Sequence, residues 1–362
     1  MDLFSTHALN RVVEELPANP AFLLNAFFPT VEVSDSETIM FDHVKGARRI
    51  APFVAPTVAG KVILEAGYET ESFRPAYIKD KRVFNPDKQF KRRAGEKIGG
   101  SLTPEQRLAG AVAWALSDQL DMWVRRLEVM AAEVLTTGKL VIKGENYPEK
   151  VVDFRRDPAL TITLTGLDKW DVEGVDPVDD LEEWSQTVYE KSFIRPTDAV
   201  MDMHVWKVVR GKLAEIDNET GLPTAAALMM KARLNTDVRA LDEAKVKLGP
   251  LVIGGEGAVL VAIFTSGSGT LRLWAYNDAH VDPETGIEVS NLPAGTVLLL
   301  STGIEGVRHF GAIKDLKAGL QPRQYFVKSW EEEDPSERYM LGQSAPLLVP
   351  YRKNASLSAK VL

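Results

Sequence analysis

The stretch Thr103–Gly138 constrains this chain more than any other. Thr103 is placed as a helix N-cap. Pro104 falls at the first helical position, where its missing N–H costs nothing, and Gln106 can close a capping box back to Thr103. Gly138 supplies a left-handed stop. Between them Leu108, Val112, Leu116, Leu120, Trp123, Leu127, Met130 and Val134 recur every three or four residues, while Asp118, Asp121, Arg125, Glu128 and Glu133 are assigned to the opposite face. The spacing predicts one amphipathic helix, about 50 Å long at 1.5 Å per residue. A helix longer than a small domain is wide runs the length of a layer, so it serves as a spine for the rest. Gly110, among Ala109, Ala111, Ala113 and Ala115, marks its first turns as lightly packed.

The chain before the spine has little core of its own. Leu9, Val12, Val13 and Leu16 suggest a short helix ended by Pro17 and Pro20. The cluster Leu23, Leu24, Phe27 and Phe28 follows, too small to be a core; pattern alone leaves open whether it packs on its own domain or elsewhere as an arm. Residues 39–97 show no helical period. Ile39–Phe41 and Lys61–Leu64 are strand-like and turn formers punctuate the rest, which predicts a protruding two-stranded loop that rests on another subunit. After the spine, Lys139–Lys143 and Val151–Phe154 read as a hairpin, and Ala159–Leu164 as strand. Asp176 caps a helix reaching about Lys191, with acids where the helix dipole favours them. Asp198–Met203, Val259–Phe264, Leu271–Tyr276 and Val297–Ser301 are strand-like, while His204–Ile216, Thr224–Lys231 and Asp237–Leu248 are helical. This part is a mixed α/β domain. Strand character returns at Tyr325–Val327 and Met340–Pro350, around the acidic run Glu331–Asp334, so the chain goes out and comes back.

Charge is unevenly distributed. The chain carries −8 overall, yet from Phe41 to Ile98 13 Lys and Arg face 7 Asp and Glu, a net of +6 that leaves −14 for the remainder. The basic residues come singly or in short clusters with no nucleic-acid motif around them. That favours docking on an acidic neighbour, another copy of the chain included, over DNA binding.

Catalytic signals are weak. With no cysteine, disulfides, thiolate metal ligands and a thiol nucleophile are excluded, and 5 scattered histidines form no metal-binding pair. Gly254-Gly255-Glu256-Gly257 and Gly267-Ser268-Gly269 lack the context of a phosphate or dinucleotide loop and read as turns. Ser301 and His309 stand close in sequence without a nucleophile elbow. The acids of 176–183 do not have calcium-loop spacing. No catalytic residue, metal or cofactor is expected. No run of about 18 apolar residues suggests a membrane-crossing helix, and the N-terminus does not read as a secretory signal.

Four stretches resemble a known family. They are Phe22–Phe28; Phe53–Ile63 continuing to Phe84-Asn85-Pro86 and Arg92-Arg93; Asp176–Glu182; and Gln343–Leu347. In number, order and spacing they are similar to the lambda-like phage major capsid (head) proteins, the major capsid protein E family. The resemblance is weakest over about 195–320. It implies an α+β chain with the tailed-phage capsid fold: an N-terminal arm (1–38), an extended β loop (39–97), a peripheral domain with the spine helix (98–174), an axial α/β domain (175–320) and a return to the peripheral domain (321–362). It implies self-assembly into pentamers and hexamers of an icosahedral head around double-stranded DNA, held without base specificity. It also implies scaffold and portal as assembly partners, and, in some relatives, a trimeric decoration protein. Location would be the virion, with assembly in the host cytoplasm. Subunit contacts are assigned to Phe22, Leu24, Phe27 and Phe28 in the arm and to Arg48, Arg49, Lys61, Arg74, Lys81 and Arg82 in the loop. An encapsulin-like compartment, or a DNA-binding protein using the basic loop, are the competing readings.

Overall fold

The computed structural model describes residues 4–16, 21–44, 68–85, 102–144, 147–213, 252–253, 257–266, 269–319, 323–334 and 336–362, with isolated positions at 50, 53, 56, 57 and 59. Its helices are α1 (Thr6–Glu15), α2 (Phe22–Phe27), α3 (Pro104–Thr137), α4 (Pro177–Ser192) and α5 (Met203–Leu213). Its strands are β1 (Thr30–Val33), β2 (Ile39–Val44), β3 (Tyr68–Phe73), β4 (Ile78–Phe84), β5 (Lys139–Gly144), β6 (Tyr147–Asp153), β7 (Thr161–Thr163), β8 (Asp198–Asp202), β9 (Val252–Ile253), β10 (Ala258–Ser266) and β11 (Gly269–Tyr276). They continue with β12 (Ala279–Val281), β13 (Glu288–Ser290), β14 (Thr296–Leu300), β15 (Gly306–Phe310), β16 (Phe326–Glu332), β17 (Glu337–Ser344), β18 (Pro346–Pro350) and β19 (Ser356–Lys360).

The spine helix forms as its sequence requires. Thr103 Oγ1 accepts from Gln106 N–H at 3.2 Å, and Gln106 Oε1 accepts from Thr103 N–H at 3.0 Å. Gly138 closes the helix at φ 71°. Arg156 completes that end from outside. Its guanidinium donates to the carbonyls of Leu135 and Thr136, both at 2.6 Å, where unpaired carbonyls and the helix dipole favour a cation. Burial lowers the Arg156 pKa to about 10. Residues 104–111 are exposed or half-buried, so the first turns are the lightly packed ones. One assignment fails: Glu128 is not on an outer face but 1% exposed. Val124, Ala131, Ala132 and Leu135 are buried as well, so the C-terminal half of α3 is covered on two flanks and Glu128 lies on the second.

The main sheet has the order β7-β19-β14-β8-β11-β10-β9. Pairs β8–β11 and β7–β19 are parallel and the others antiparallel. Alternate side chains feed two cores, as the pleat demands. Val200, Trp274, Tyr276, Leu298 and Leu300 join the core of α2 and α3. Ala199, Met201, Leu273, Ala275, Val297, Leu299, Leu357 and Ala359 join the core of α4 and α5. The sheet therefore lies between two helical layers.

Two three-stranded sheets flank it, ordered β1-β15-β18 and β16-β17-β4. The β2–β3, β5–β6 and β12–β13 pairs are hairpins. The out-and-back course is visible in β4, which pairs with β17 across the length of the chain. Sheet membership nevertheless crosses the boundaries expected from the sequence. β7 and β19, assigned to the peripheral parts, join the main sheet, whereas β15 joins β1 and β18. The loop is also better anchored than expected: Ile39 and Phe41 are core residues at its start, and β4 is a sheet strand of the same chain. The expected strand at Lys61–Leu64 and helices at Thr224–Lys231 and Asp237–Leu248 lie outside the described residues.

Candidate functional site

The arm is built around α2, which lacks a cap of its own. Its N-cap residue is Ala21, which has no side chain able to accept from the first turn. Glu128 of α3 does that work across space: its carboxylate accepts from Leu23 N–H at 2.9 Å and Leu24 N–H at 2.8 Å. Arg308 of β15 closes the other end, donating to the Phe28 carbonyl at 2.6 Å, the Leu24 carbonyl at 3.0 Å and Asn25 Oδ1 at 2.7 Å. An anion at the N-terminus and a cation at the C-terminus both match the helix dipole. Phe22 packs against Trp274, with ring centroids 4.8 Å apart. β15 comes so close at Gly306 that a Cβ there would sit 2.1 Å from the Phe27 carbonyl oxygen.

The Glu128 carboxylate also accepts from Tyr276 Oη at 2.8 Å. Asn291 Nδ2 donates to Tyr276 Oη at 3.3 Å and to Asp278 at 2.9 Å, and His280 Nδ1 stands 2.7 Å from Asn291 Oδ1. Burial is the main reason the Glu128 pKa is raised, its three hydrogen bonds opposing. Burial and the neighbouring Glu128 carboxylate push the Tyr276 phenol up. The network fixes helix, sheet and arm to one another.

Of the two readings of the arm, packing on its own domain is the one seen. Phe22, Leu24, Phe27 and Phe28 are 5%, 1%, 1% and 0% exposed in the single chain. Their side chains leave no surface for direct contact with a neighbour in this conformation. The reason is that Trp274, Tyr276 and the close approach at Gly306 form an apolar socket that sequence pattern does not reveal. What the arm does expose is β1, with Val31 37% and Val33 42% accessible at the edge of its sheet.

Arg48, Arg49 and Lys61 lie outside the described residues. Arg74, Lys81 and Arg82 are described, and the structure does not gather them into one patch. Arg74 pairs with Glu37, whose carboxylate also meets Lys314 Nζ at 2.5 Å. Lys81 stands on the outer face of the β16-β17-β4 sheet, its Nζ 3.7 Å from the centre of the Tyr339 ring. Arg82 points inward to Asp118 of α3 at 2.7 Å and is 18% exposed. Beside it Asp80 accepts from Gln119 Nε2 at 2.7 Å and Trp123 Nε1 at 3.1 Å, and burial raises its pKa. β4 is thereby fixed to the spine helix of its own chain. The register places Gly342 of β17 opposite Asp80, and a Cβ at Gly342 would meet Gln119 and Trp123 at 2.3 Å.

The residues considered for chemistry serve the fold. Ser301 caps a short 3-10 turn by accepting from Gly303 N–H at 3.1 Å. His309, 4% exposed, lies 3.2 Å from Tyr351 Oη and 3.5 Å from Glu32, and burial lowers its pKa. Asp176 caps α4. Among the described residues no group of His, Asp and Glu is arranged to hold a metal ion, and no helix is long and apolar enough to cross a membrane.

Comparison with known proteins gives a family and a fold. The family described as "Phage major capsid protein E" matches residues 5–361. The chain is similar to the P21 prophage-derived major head protein of Escherichia coli O6:H1 (strain CFT073), with 28% identity over 359 residues and 96% of each chain covered. It is similar to the major capsid protein of Escherichia phage lambda, with 25% identity over 359 residues and 96% of each covered. Among solved structures, the crystal structure of a prophage capsid protein of E. coli CFT073 superposes with a TM-score of 0.67, at 20% identity and full coverage of both chains.

Proposed function

The chain belongs to the phage major capsid protein E family, and from this we propose how it acts: as a major capsid protein whose copies assemble into the head shell of a virion. The observation that carries the reading is the family match from residue 5 to residue 361, covering arm, loop, spine and sheets alike. The fold agrees over its full length with a prophage capsid protein. The features described above support a structural role: a spine helix capped at both ends, an arm clamped by Glu128 and Arg308, and buried polar groups that join layers.

In finer terms, the shell is icosahedral, built of pentamers and hexamers, and encloses double-stranded DNA. Scaffold and portal act during assembly, and a trimeric decoration protein is a further partner where the phage encodes one. Outside the loop the chain carries −14, so DNA is held weakly and without base reading. The arm rings are occupied internally, so contacts between copies fall to the loop, including Arg48, Arg49, Lys61, Arg74 and Lys81. Single exposed ion pairs contribute about 0–1 kcal/mol, but a shell repeats each contact many times. We take the parts of the chain to be arm, extended loop, peripheral domain and axial domain; pairing of β7 and β19 into the seven-stranded sheet supports counting them with the axial part.

Negative-stain microscopy of the expressed protein tests the reading: closed shells or tubes are expected, and dispersed monomers under all assembly conditions would overturn it. Deleting residues 45–66 should leave the helical circular dichroism signal intact and abolish shells. Normal shells from the deletion would remove the loop from the interface.

A further inference from the structure

The β16-β17-β4 sheet has two edges, and they are treated differently. The β16 edge is covered, but by side chains. Asn10 of α1 presents its amide to Val327 as a neighbouring strand would: Val327 N–H donates to Asn10 Oδ1 at 3.0 Å, and Asn10 Nδ2 donates to the Val327 carbonyl at 2.9 Å. Two residues on, the Ser329 carbonyl accepts from Lys317 Nζ at 3.4 Å. Asn10 is 6% exposed, so this is a buried pairing. A primary amide carries the same donor and acceptor as a peptide group, so Asn10 imitates one rung of a ladder. A real strand would offer several rungs.

The seam between α1 and this sheet is incompletely filled. A cleft of about 620 Å³ runs along it, bordered by His7, Asn10, Arg11, Lys317, Arg323 and Phe326. At the opposite edge, no strand lies against β4 among the described residues. Unpaired edges are templates for another strand unless something blocks them. The tail of β16 is opposite in charge to β4, while Lys328 within the strand and Arg11, Lys317 and Arg323 along the cleft are basic. β4 carries Lys79, Lys81 and Arg82 against one acid, Asp80, with Lys79 and Lys81 exposed. β16 ends in Glu331 and Glu332 and runs on into Glu333 and Asp334, all exposed.

We propose that the β16 edge is an assembly edge, closed in the single chain by Asn10 of α1, and that its occupant in the shell is the outer edge of β4 from a second copy. The inference rests on the shell-forming reading. α1 then acts as a plug that an incoming strand displaces, exchanging one imitated rung and the burial of Leu9 and Val13 for several true rungs. A contact of this kind joins unlike surfaces head to tail, and repeated with a rotation it closes a ring. The plug delays pairing until a neighbour is correctly placed, which protects free subunits from edge-to-edge aggregation.

The test follows assembly of the purified full chain by light scattering. Asn10→Ala removes the Nδ2 bond to the Thr6 carbonyl within α1 and both bonds to Val327; loss of the two across the edge, each worth a net of about 1 kcal/mol, should speed the onset of assembly about thirtyfold. Hydrogen exchange across residues 6–15 should rise in the same variant. Onset at or below the wild-type rate with α1 visibly released would overturn the plug. Charge swaps test the occupant independently and decide the matter should Asn10→Ala fail to fold. Lys79→Glu/Lys81→Glu and Glu332→Lys/Glu333→Lys should each assemble poorly alone and co-assemble when mixed, because the altered edges meet between copies. Failure of the mixture to form even six-membered rings, in which the two variants can alternate, would exclude β4 of a second copy as the occupant. Wild-type protein that forms no shells sinks the capsid reading; wild-type shells with an indifferent Asn10→Ala and no mutual rescue sink only the plug.

Discussion

Glu128→Gln tests the arm clamp in a way that separates hydrogen bonding from charge. Three donors converge on the Glu128 carboxylate: Leu23 N–H and Tyr276 O–H on one oxygen and Leu24 N–H on the other. An amide has one oxygen. With that oxygen toward Leu23, the NH2 faces Leu24 N–H; in the flipped rotamer it faces Leu23 N–H. Tyr276 can turn toward Asp278, 3.4 Å away, but one backbone donor of α2 is stranded either way. A buried unsatisfied donor costs about 1–3 kcal/mol. The opposing effect is charge. Burial raises the Glu128 pKa in the folded chain, so the docked state binds a proton more tightly than the opened one. The wild-type arm therefore docks more firmly as pH falls from above that raised pKa toward the ordinary carboxylate value of about 4.3, and loses that gain as pH rises. Glutamine does not titrate. The deficit of Glu128→Gln should therefore be largest at the low-pH end of that range and shrink as pH rises through the raised pKa. Hydrogen exchange of residues 21–28, corrected for intrinsic rates, reads local opening without assuming two-state unfolding. A deficit that stays constant or grows with pH would refute the reasoning.

Three further outcomes are expected. Gly342→Ala places a methyl 2.3 Å from Gln119 and Trp123, and Trp123 is held by its stack on Tyr325; denaturant unfolding should show a loss at or above the upper end of about 1–3 kcal/mol. Gly306→Ala meets the Phe27 backbone rather than a flexible side chain, so α2 should be dislodged, with faster exchange at residues 21–28 and quenching or shift of Trp274 fluorescence. His309 is buried with its pKa lowered, so the unfolded chain binds the proton first; stability from the β1–β15 pair should fall as pH drops below about 6.5, and His309→Gln should remove that dependence in exchange measurements on residues 30–33.

What was legible in the sequence was local. The caps of α3 are contained within four residues at one end and a glycine at the other, and both formed as read. Asp176 and its acids likewise specify the start of α4 without help. What was not legible depended on partners distant in the chain. Glu128 lies on a second buried flank with Val124, Ala131, Ala132 and Leu135, which a single apolar stripe does not include. Arg308 sits in a strand of five residues, and nothing in Gly306–Phe310 announces that it caps a helix more than two hundred residues earlier. The arm rings satisfy the same pattern whether they fill their own socket or a neighbour's. β19 reads Ser-Leu-Ser-Ala-Lys, polar enough to pass for a turn, yet its first four residues are buried because small side chains fit where two helical layers press on the sheet. Asn10 stands in an amphipathic helix like any other half-polar position, and only the strand edge beside it gives it a meaning.

The position of β19 governs when a subunit becomes usable. It lies between β7 and β14, so β7 stays outside the main sheet until residues 356–360 have inserted. A chain without β19 can complete the spine helix and the five strands from β14 to β9, but it leaves β7 outside that sheet and the cores on its faces unsealed beside β14. Pairings this distant in sequence form slowly. Until β19 is in place, β14 presents an open edge where its last neighbour belongs. Fidelity at the scale of the particle begins with the order in which one ribosome delivers its strands.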